Sequence, residues 1–345
     1  MSLVSLQRHL LAGMVLLLAP FLMAHSDELP VTQAPQTGAT ARSTSEWLLR
    51  MYQASRRRAY IGTLVVSTEG QMASSRIWHV CDGERQFERV ESLSGTPRST
   101  FRHNDQVITF SPQSKIAVTE KRESLGLFPH LLEASNAVIE RSYTARPAGV
   151  ERVAGFEADV VLLEASDRYR FSYRVWSERR TGLVVKLQTL HLDGRVMEEV
   201  AFSELQLDAP VSMSKLAQMM SNTTGYKVQS PEVAKTSAQA QGWQLKTPVS
   251  GFQAVSCYLR PRGGEPRTDG GTLQWIFSDG LATVSIFIES YDRRRHIRDG
   301  LAAMGATHTL AQRRHDPSGD WWLTIVGEVP VQTLEAFARG LERID

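Results

Sequence analysis

Between Tyr60 and Leu205 the chain reads as an almost unbroken succession of strands and tight turns, and this meander constrains the fold more than anything else in its 345 residues. Segments at Tyr60 to Thr68, Ser75 to Cys81, Gln86 to Leu93, Arg98 to His103, Gln106 to Phe110 and Ile116 to Glu120 are rich in β-branched and aromatic residues. Asp82-Gly83 is a hairpin signal, because both central positions of that turn favour left-handed backbone. After an interruption from Leu125 to Ala134, predicted helical beyond Pro129, strands resume at Asp159 to Leu163, Arg168 to Ser177, Gly182 to Leu192 and Arg195 to Leu205. Asp193-Gly194 joins the last pair.

Large apolar residues fall on both faces of these strands in places, which predicts a curved sheet wrapped around either a packed helix or a ligand cavity. Leu64 and Val66, Trp78 and Val80, and Ile108 and Phe110 alternate on successive strands, so each pair can face one side of the sheet. With Leu125, Leu127, Phe128 and Leu131 of the interrupting segment as a cover, they form a candidate lipid cavity. The competing reading is an ordinary core filled by the preceding helix. Ser45 is its expected cap, and Trp47, Leu48, Met51 and Tyr52 recur at the spacing of one buried face.

Downstream, residues 209–242 turn polar, with a short helix at Ser214 to Met220, and read as a connection. From Trp243 a second pattern begins: strands at Phe252 to Arg260, Thr272 to Ser278 and Ala282 to Glu289, a helix around Ile297 to Met304, and strands at Thr307 to Arg313 and Trp321 to Glu328. Thr333 to Ile344 closes as an amphipathic helix. The expected fold class is therefore α+β, an N-terminal curved antiparallel half-barrel with helices over residues 46–208 plus a smaller C-terminal α+β domain over 243–345.

The extreme N-terminus sets the compartment. Arg8 and His9 precede an apolar run from Leu10 to Met23, and Ala24-His25-Ser26 offers small residues for cleavage, so residues 1–26 read as a signal peptide. The run is shorter than the roughly 20 residues of a spanning helix, which points to a periplasmic product starting near Asp27 with a flexible tail over 27–45. An oxidising compartment permits one bond between the two cysteines, Cys81 and Cys257, but spacing alone does not pair them.

Formal charge is only +2, yet arginines cluster at Arg56-Arg57-Arg58 and Arg293-Arg294-Arg295. Guanidinium forks match phosphate and carboxylate, so these six are candidate contacts for an anionic lipid headgroup or an acidic partner, against the plainer reading of a solvated face. Trp322, back to back with Trp321 on one strand, is a further candidate partner contact. His79 and Cys81 face one side of a strand, but no other ligand lies near them, and His308 and His315 lack ligand spacing. No phosphate loop, nucleophile elbow or paired catalytic group is legible, so no enzyme, metal, cofactor or nucleic-acid partner is expected.

Several segments taken in order resemble the RseB/MucB family of periplasmic regulators of the envelope-stress sigma factor. They are Arg152-Val153-Ala154-Gly155, Asp167-Arg168-Tyr169-Arg170, Tyr173-Arg174-Val175-Trp176, Thr181-Gly182-Leu183 and Lys186. In the C-terminal part they are Ser278-Asp279-Gly280-Leu281-Ala282, Val284 to Glu289, Met304-Gly305-Ala306 and Val326-Gly327-Glu328-Val329-Pro330. The resemblance implies a first domain shaped like the lipoprotein carriers LolA and LolB, sensing lipid, and a second domain that helps bind the periplasmic part of an RseA/MucA-like membrane anti-sigma factor. It further implies that binding shields that factor from proteolysis and that lipid or lipopolysaccharide releases it. A lipid or lipoprotein carrier is the alternative, although a carrier needs only the first domain. Self-association is left open.

Overall fold

The computed structural model describes residues 42–121, 136–231, 233–260, 271–296 and 298–344. The segment expected as a signal peptide and most of the expected tail lie outside these, as do Leu125, Leu127, Phe128 and Leu131. The first helix, α1, is Thr44–Arg57. Its cap is Ser43 rather than Ser45: the Ser43 hydroxyl accepts from the Glu46 main-chain N–H while the Glu46 carboxylate accepts from that of Ser43, a reciprocal capping box.

Six strands follow: β1 (Tyr60–Thr68), β2 (Gln71–Cys81), β3 (Gln86–Ser92), β4 (Ser99–His103), β5 (Gln106–Ser111) and β6 (Ile116–Lys121). After helix α2 (Asn136–Ser142) come β7 (Tyr143–Val153), β8 (Phe156–Ala165), β9 (Ser172–Glu178), β10 (Val184–Leu190) and β11 (Val196–Leu207). Helix α3 (Met213–Ser221) leads to β12 (Lys227–Gln229). These twelve strands make one unclosed sheet, in which β1 pairs with both β2 and β11; the chain runs outward from β1 to β6, which β12 flanks at one edge, and then inward from β7 at the other edge to β11. All pairings are antiparallel except that of β12 on β6.

The remainder forms a second sheet from β13 (Ala234–Lys235), β15 (Gln253–Arg260), β16 (Thr272–Ser278), β17 (Thr283–Ser290), β18 (Gly300–Met304), β19 (Thr307–Asp316) and β20 (Gly319–Gly327). Helix α4 (Val331–Gly340) buries Leu334 and Phe337 against its core, and β14 (Trp243–Leu245) pairs with β21 (Leu341–Arg343). The smaller C-terminal unit is thus predominantly sheet with one long flanking helix.

Two expectations about the elements change. The segment expected as a helix around 297–304 contains strand β18: Gly305, at φ +58, opens a two-residue turn with Ala306 that folds the segment back onto β19 through five paired positions. Ladder pairing outweighs the helix propensity of Leu, Ala and Met. The stretch 209–242 is not a free connection, because α3 packs on the first sheet, β12 extends it and β13 joins the second. Cys81 and Cys257 are both free thiols, on β2 and in the second core.

Register also divides the candidate cavity residues. Leu64 and Val66 lie opposite Ser75 and Ala73, on the same face as Ile77 and Phe202, whereas Trp78 and Val80 pair with Arg89 and Phe87 and point the other way. Residues on neighbouring strands share a face only when directly opposite, and an odd offset reverses the side chain. Following the ladder through β4, Ile108 and Phe110 share the Trp78 side. That side packs beneath α3, where Phe87, Phe101 and Phe110 are buried with Leu216 and Met220. The other side is covered in part by α1, whose Trp47, Leu48 and Met51 pack with Val161, Leu163 and Tyr173. The two apolar faces therefore each have a helix of their own, and the six residues do not line one wall. Burial of each large side chain contributes roughly 1.5–3 kcal/mol.

Candidate functional site

A densely bonded polar assembly joins the two sheets. The loop between β8 and β9 carries Asp167, which accepts from the Tyr169 main-chain N–H and from Arg170 Nε at 3.0 Å. This folds Arg170 inward, where its side chain is wholly buried and its Nη1 meets Asp279 Oδ2 at 2.7 Å. Asp279 sits in the turn between β16 and β17. Its Oδ1 accepts from the main-chain N–H groups of Leu281 and Ala282, and its Oδ2 accepts from the Tyr143 hydroxyl at 3.0 Å. Burial pushes the Asp279 carboxyl up, but Arg170, those two N–H groups and Tyr143 oppose it. Four donors on one carboxylate favour its charged form.

Arg170 Nη2 also donates to the Ser250 carbonyl at 2.6 Å. The approach is possible because Gly251, at φ +78, has no side chain: a Cβ there would lie 2.6 Å from Nη2. Around this centre Thr333 donates to the Tyr169 carbonyl and Gln332 to that of Arg168, while Leu281 packs against the core beneath α1. The segments 167–170 and 278–282, which carry the resemblance noted in the sequence, are thus direct partners across the junction.

A second contact lies at the hairpin ends. The β18–β19 turn rests on the first sheet, with Ala306 buried against Phe171 and Met197 and its N–H bonded to the Glu198 carboxylate. Beside it is a cleft of about 300 Å³ lined by Thr68, Gln71, His191, Arg195, Met197, Met304 and His308 among others. Arg195 is ion-paired to Glu69, and His308 Nδ1 lies 2.6 Å from the Val329 carbonyl. Burial raises the carboxyls of Glu198 and Glu328, Glu328 further through the charge of Glu198.

The predicted contacts are dispersed relative to this junction. Arg56 and Arg57 are exposed at the end of α1, Arg56 lying over the Tyr52 ring, while Arg58 pairs with Asp208 at 3.2 Å. Arg293 and Arg294 are exposed in the turn after β17, where Arg295 reaches Glu289 at 2.9 Å. Trp322 is buried, its ring stacked on His296 at 4.8 Å, so it is a packing residue of the second sheet and not a surface contact. His79 is held by the Arg58 carbonyl and Gln86 and stacks on Tyr60, and among the described residues no group of three or more His, Cys, Asp or Glu suits a metal ion. Sequence reasoning missed Tyr143, Arg170, Ser250 and Asp279 as a unit. A clue was present in the Arg170 of one resembling segment and the Asp279 of another.

The description "MucB/RseB N-terminal domain" matches residues 43–220, and "MucB/RseB C-terminal domain" matches residues 237–342. The sigma factor AlgU regulatory protein MucB of Pseudomonas aeruginosa is 26% identical over 326 residues, covering 94% of this chain and 95% of that protein. The sigma-E factor regulatory protein RseB of Escherichia coli K12 is 24% identical, over 88% of this chain and 92% of its own length. Among solved structures, a crystal structure of MucB in complex with MucA(peri) superposes with a TM-score of 0.68 at 24% identity, covering 87% of this chain and 99% of that one. With both halves matched in order across most of its length, the chain belongs to the MucB/RseB family.

Proposed function

We propose that the chain is a periplasmic negative regulator of an envelope-stress sigma factor, binding the periplasmic part of a membrane anti-sigma factor and shielding it from proteolysis until lipid or lipopolysaccharide releases it. The observation that carries this reading is the buried Arg170–Asp279 junction, which fastens the two sheets through two of the segments that resemble the family. A regulator that couples lipid arrival on one sheet to partner release needs such a connection, and a one-domain carrier does not. Among the described residues no helix is long and apolar enough to cross a membrane. Arg56, Arg57, Arg293 and Arg294, exposed and rich in donors, suit an anionic headgroup or an acidic partner. The test combines the purified mature chain with the periplasmic segment of the anti-sigma factor from the same genome. Binding, slower cleavage of that segment by its protease and reversal by lipopolysaccharide are expected. Absence of binding, with recovery of diverse lipoproteins instead, would replace the regulator with a carrier.

A further inference from the structure

The β10–β11 and β18–β19 hairpins meet at the second contact between the sheets, and each brings one imidazole and one thioether to the cleft there. His191 and Met197 come from the first hairpin, Met304 and His308 from the second. Both imidazoles are held through Nδ1. The Val329 carbonyl, 2.6 Å from His308 Nδ1, can only accept, so that nitrogen carries the proton and the lone pair is left on Nε2. His191 Nδ1 lies 3.0 Å from an Asp193 carboxylate oxygen, nearer than the 3.4 Å to that residue's main-chain nitrogen, so it donates in the same way. A neutral ring whose proton is fixed on an oxygen acceptor is the form in which histidine binds metals.

We propose that the cleft is a binding site for a soft monovalent metal ion, Cu(I) or its analogue Ag(I), held by His191 and His308 through Nε2 and by the sulfurs of Met197 and Met304. The donor set selects the ion. Thioethers are soft ligands that favour Cu(I) and offer little to hard ions such as Mg²⁺ and Ca²⁺. Neutral donors suit a single positive charge better than a double one, and among the described residues no three His, Cys, Asp or Glu gather to hold a divalent ion. Nor does an unpaired cation repel it: Arg195 on the rim is paired to Glu69, and the carboxyl of Glu198, next to Met197 in sequence, lies at the same contact. Met197 and His308 are buried and fixed, whereas Met304 is exposed, and its three rotatable side-chain bonds let it swing in to complete the shell. Because the ligands come from both sheets, the metal would fasten the hairpins together and stabilise the fold.

Titration of the mature chain with Ag(I), followed by the ε-methyl carbon-13 resonances of its methionines, tests this. The protein carries Cys81→Ala, which removes the more accessible thiol, a competing soft ligand. One equivalent is expected to shift Met197 and Met304 together and to raise the midpoint of thermal unfolding. Met304→Leu keeps an apolar side chain without the sulfur, so it is expected to weaken Ag(I) binding at least about tenfold while the metal-free urea midpoint stays near that of the parent. Met72→Leu removes a 75% exposed thioether that is not one of the four ligands, and is expected to leave binding unchanged. No shift at Met197 and Met304, binding as tight after Met304→Leu as before, or binding lost through Met72→Leu instead would overturn the proposal. So would Zn(II) binding at these residues more tightly than Ag(I), which would mean that the thioethers are bystanders.

Discussion

Replacing Glu88 with Gln isolates one buried charge. Glu88 lies on β3 opposite His79, is 4% exposed, and its Oε2 has no hydrogen-bond partner among the described residues. Burial pushes its carboxyl from the ordinary 4.5 up to about 7, against the opposing pull of Arg102. The folded state therefore holds this proton more tightly than the unfolded chain. Its stabilising contribution is fully present below pH 4.5, declines as pH rises and is gone above pH 7. Two and a half units correspond to about 3 kcal/mol lost across that window. Glu88→Gln keeps the shape and removes the titration, so the variant should gain up to about 3 kcal/mol over the parent above pH 7 and match it near pH 4.5. Urea unfolding of both proteins at intervals from pH 4.5 to pH 8 reads the difference directly. Parallel stability profiles would refute the reasoning, because they would mean that Glu88 is ionised in the fold or hydrated.

At the junction, Arg170→Met leaves Asp279 buried without its counter-ion and is expected to lower stability by about 3–5 kcal/mol in urea, while the double change Arg170→Met with Asp279→Leu should recover part of the loss. Gly251→Ala places a methyl against Arg170 Nη2 at positive φ, and a loss of about 1–3 kcal/mol in thermal unfolding is expected. Phe110→Ala opens a cavity beneath α3 and should cost about 3–5 kcal/mol, with faster proteolysis at residues 213–221. Phe128→Asp is expected to abolish lipid binding with a modest shift in the urea midpoint; unchanged binding in a folded variant would remove Phe128 from the lipid site.

Local patterns carried much of the fold. The Asp82-Gly83 and Asp193-Gly194 turns, the two-residue alternation of the strands and the amphipathic faces of α1 and α4 are properties of neighbouring residues, and all are legible in the chain. What was not legible depends on pairing across distance. Whether Leu64 and Trp78 share a face is decided by the β1–β2 register, in which Leu64 meets Ser75, and no single-strand pattern encodes that parity. Arg170 and Asp279 are 109 residues apart, so each reads alone as one more surface charge. β18 was obscured for the opposite reason: Leu301, Ala302, Ala303 and Met304 are good helix formers, and the turn at Gly305 and the partner strand β19 make them extended.

The Arg170 junction also bears on the order in which the chain can complete its fold. The first sheet ends with β12, yet the loop at 167–170 stays incomplete until Asp279, and then Gln332 and Thr333 from the last helix, have emerged. A product truncated before residue 279 would leave Arg170 with only the partly exposed Asp167 as counter-ion, and its loop would remain open to proteases. The same ion pair thus ties completion of the first sheet's loop to the presence of the second sheet and its last helix.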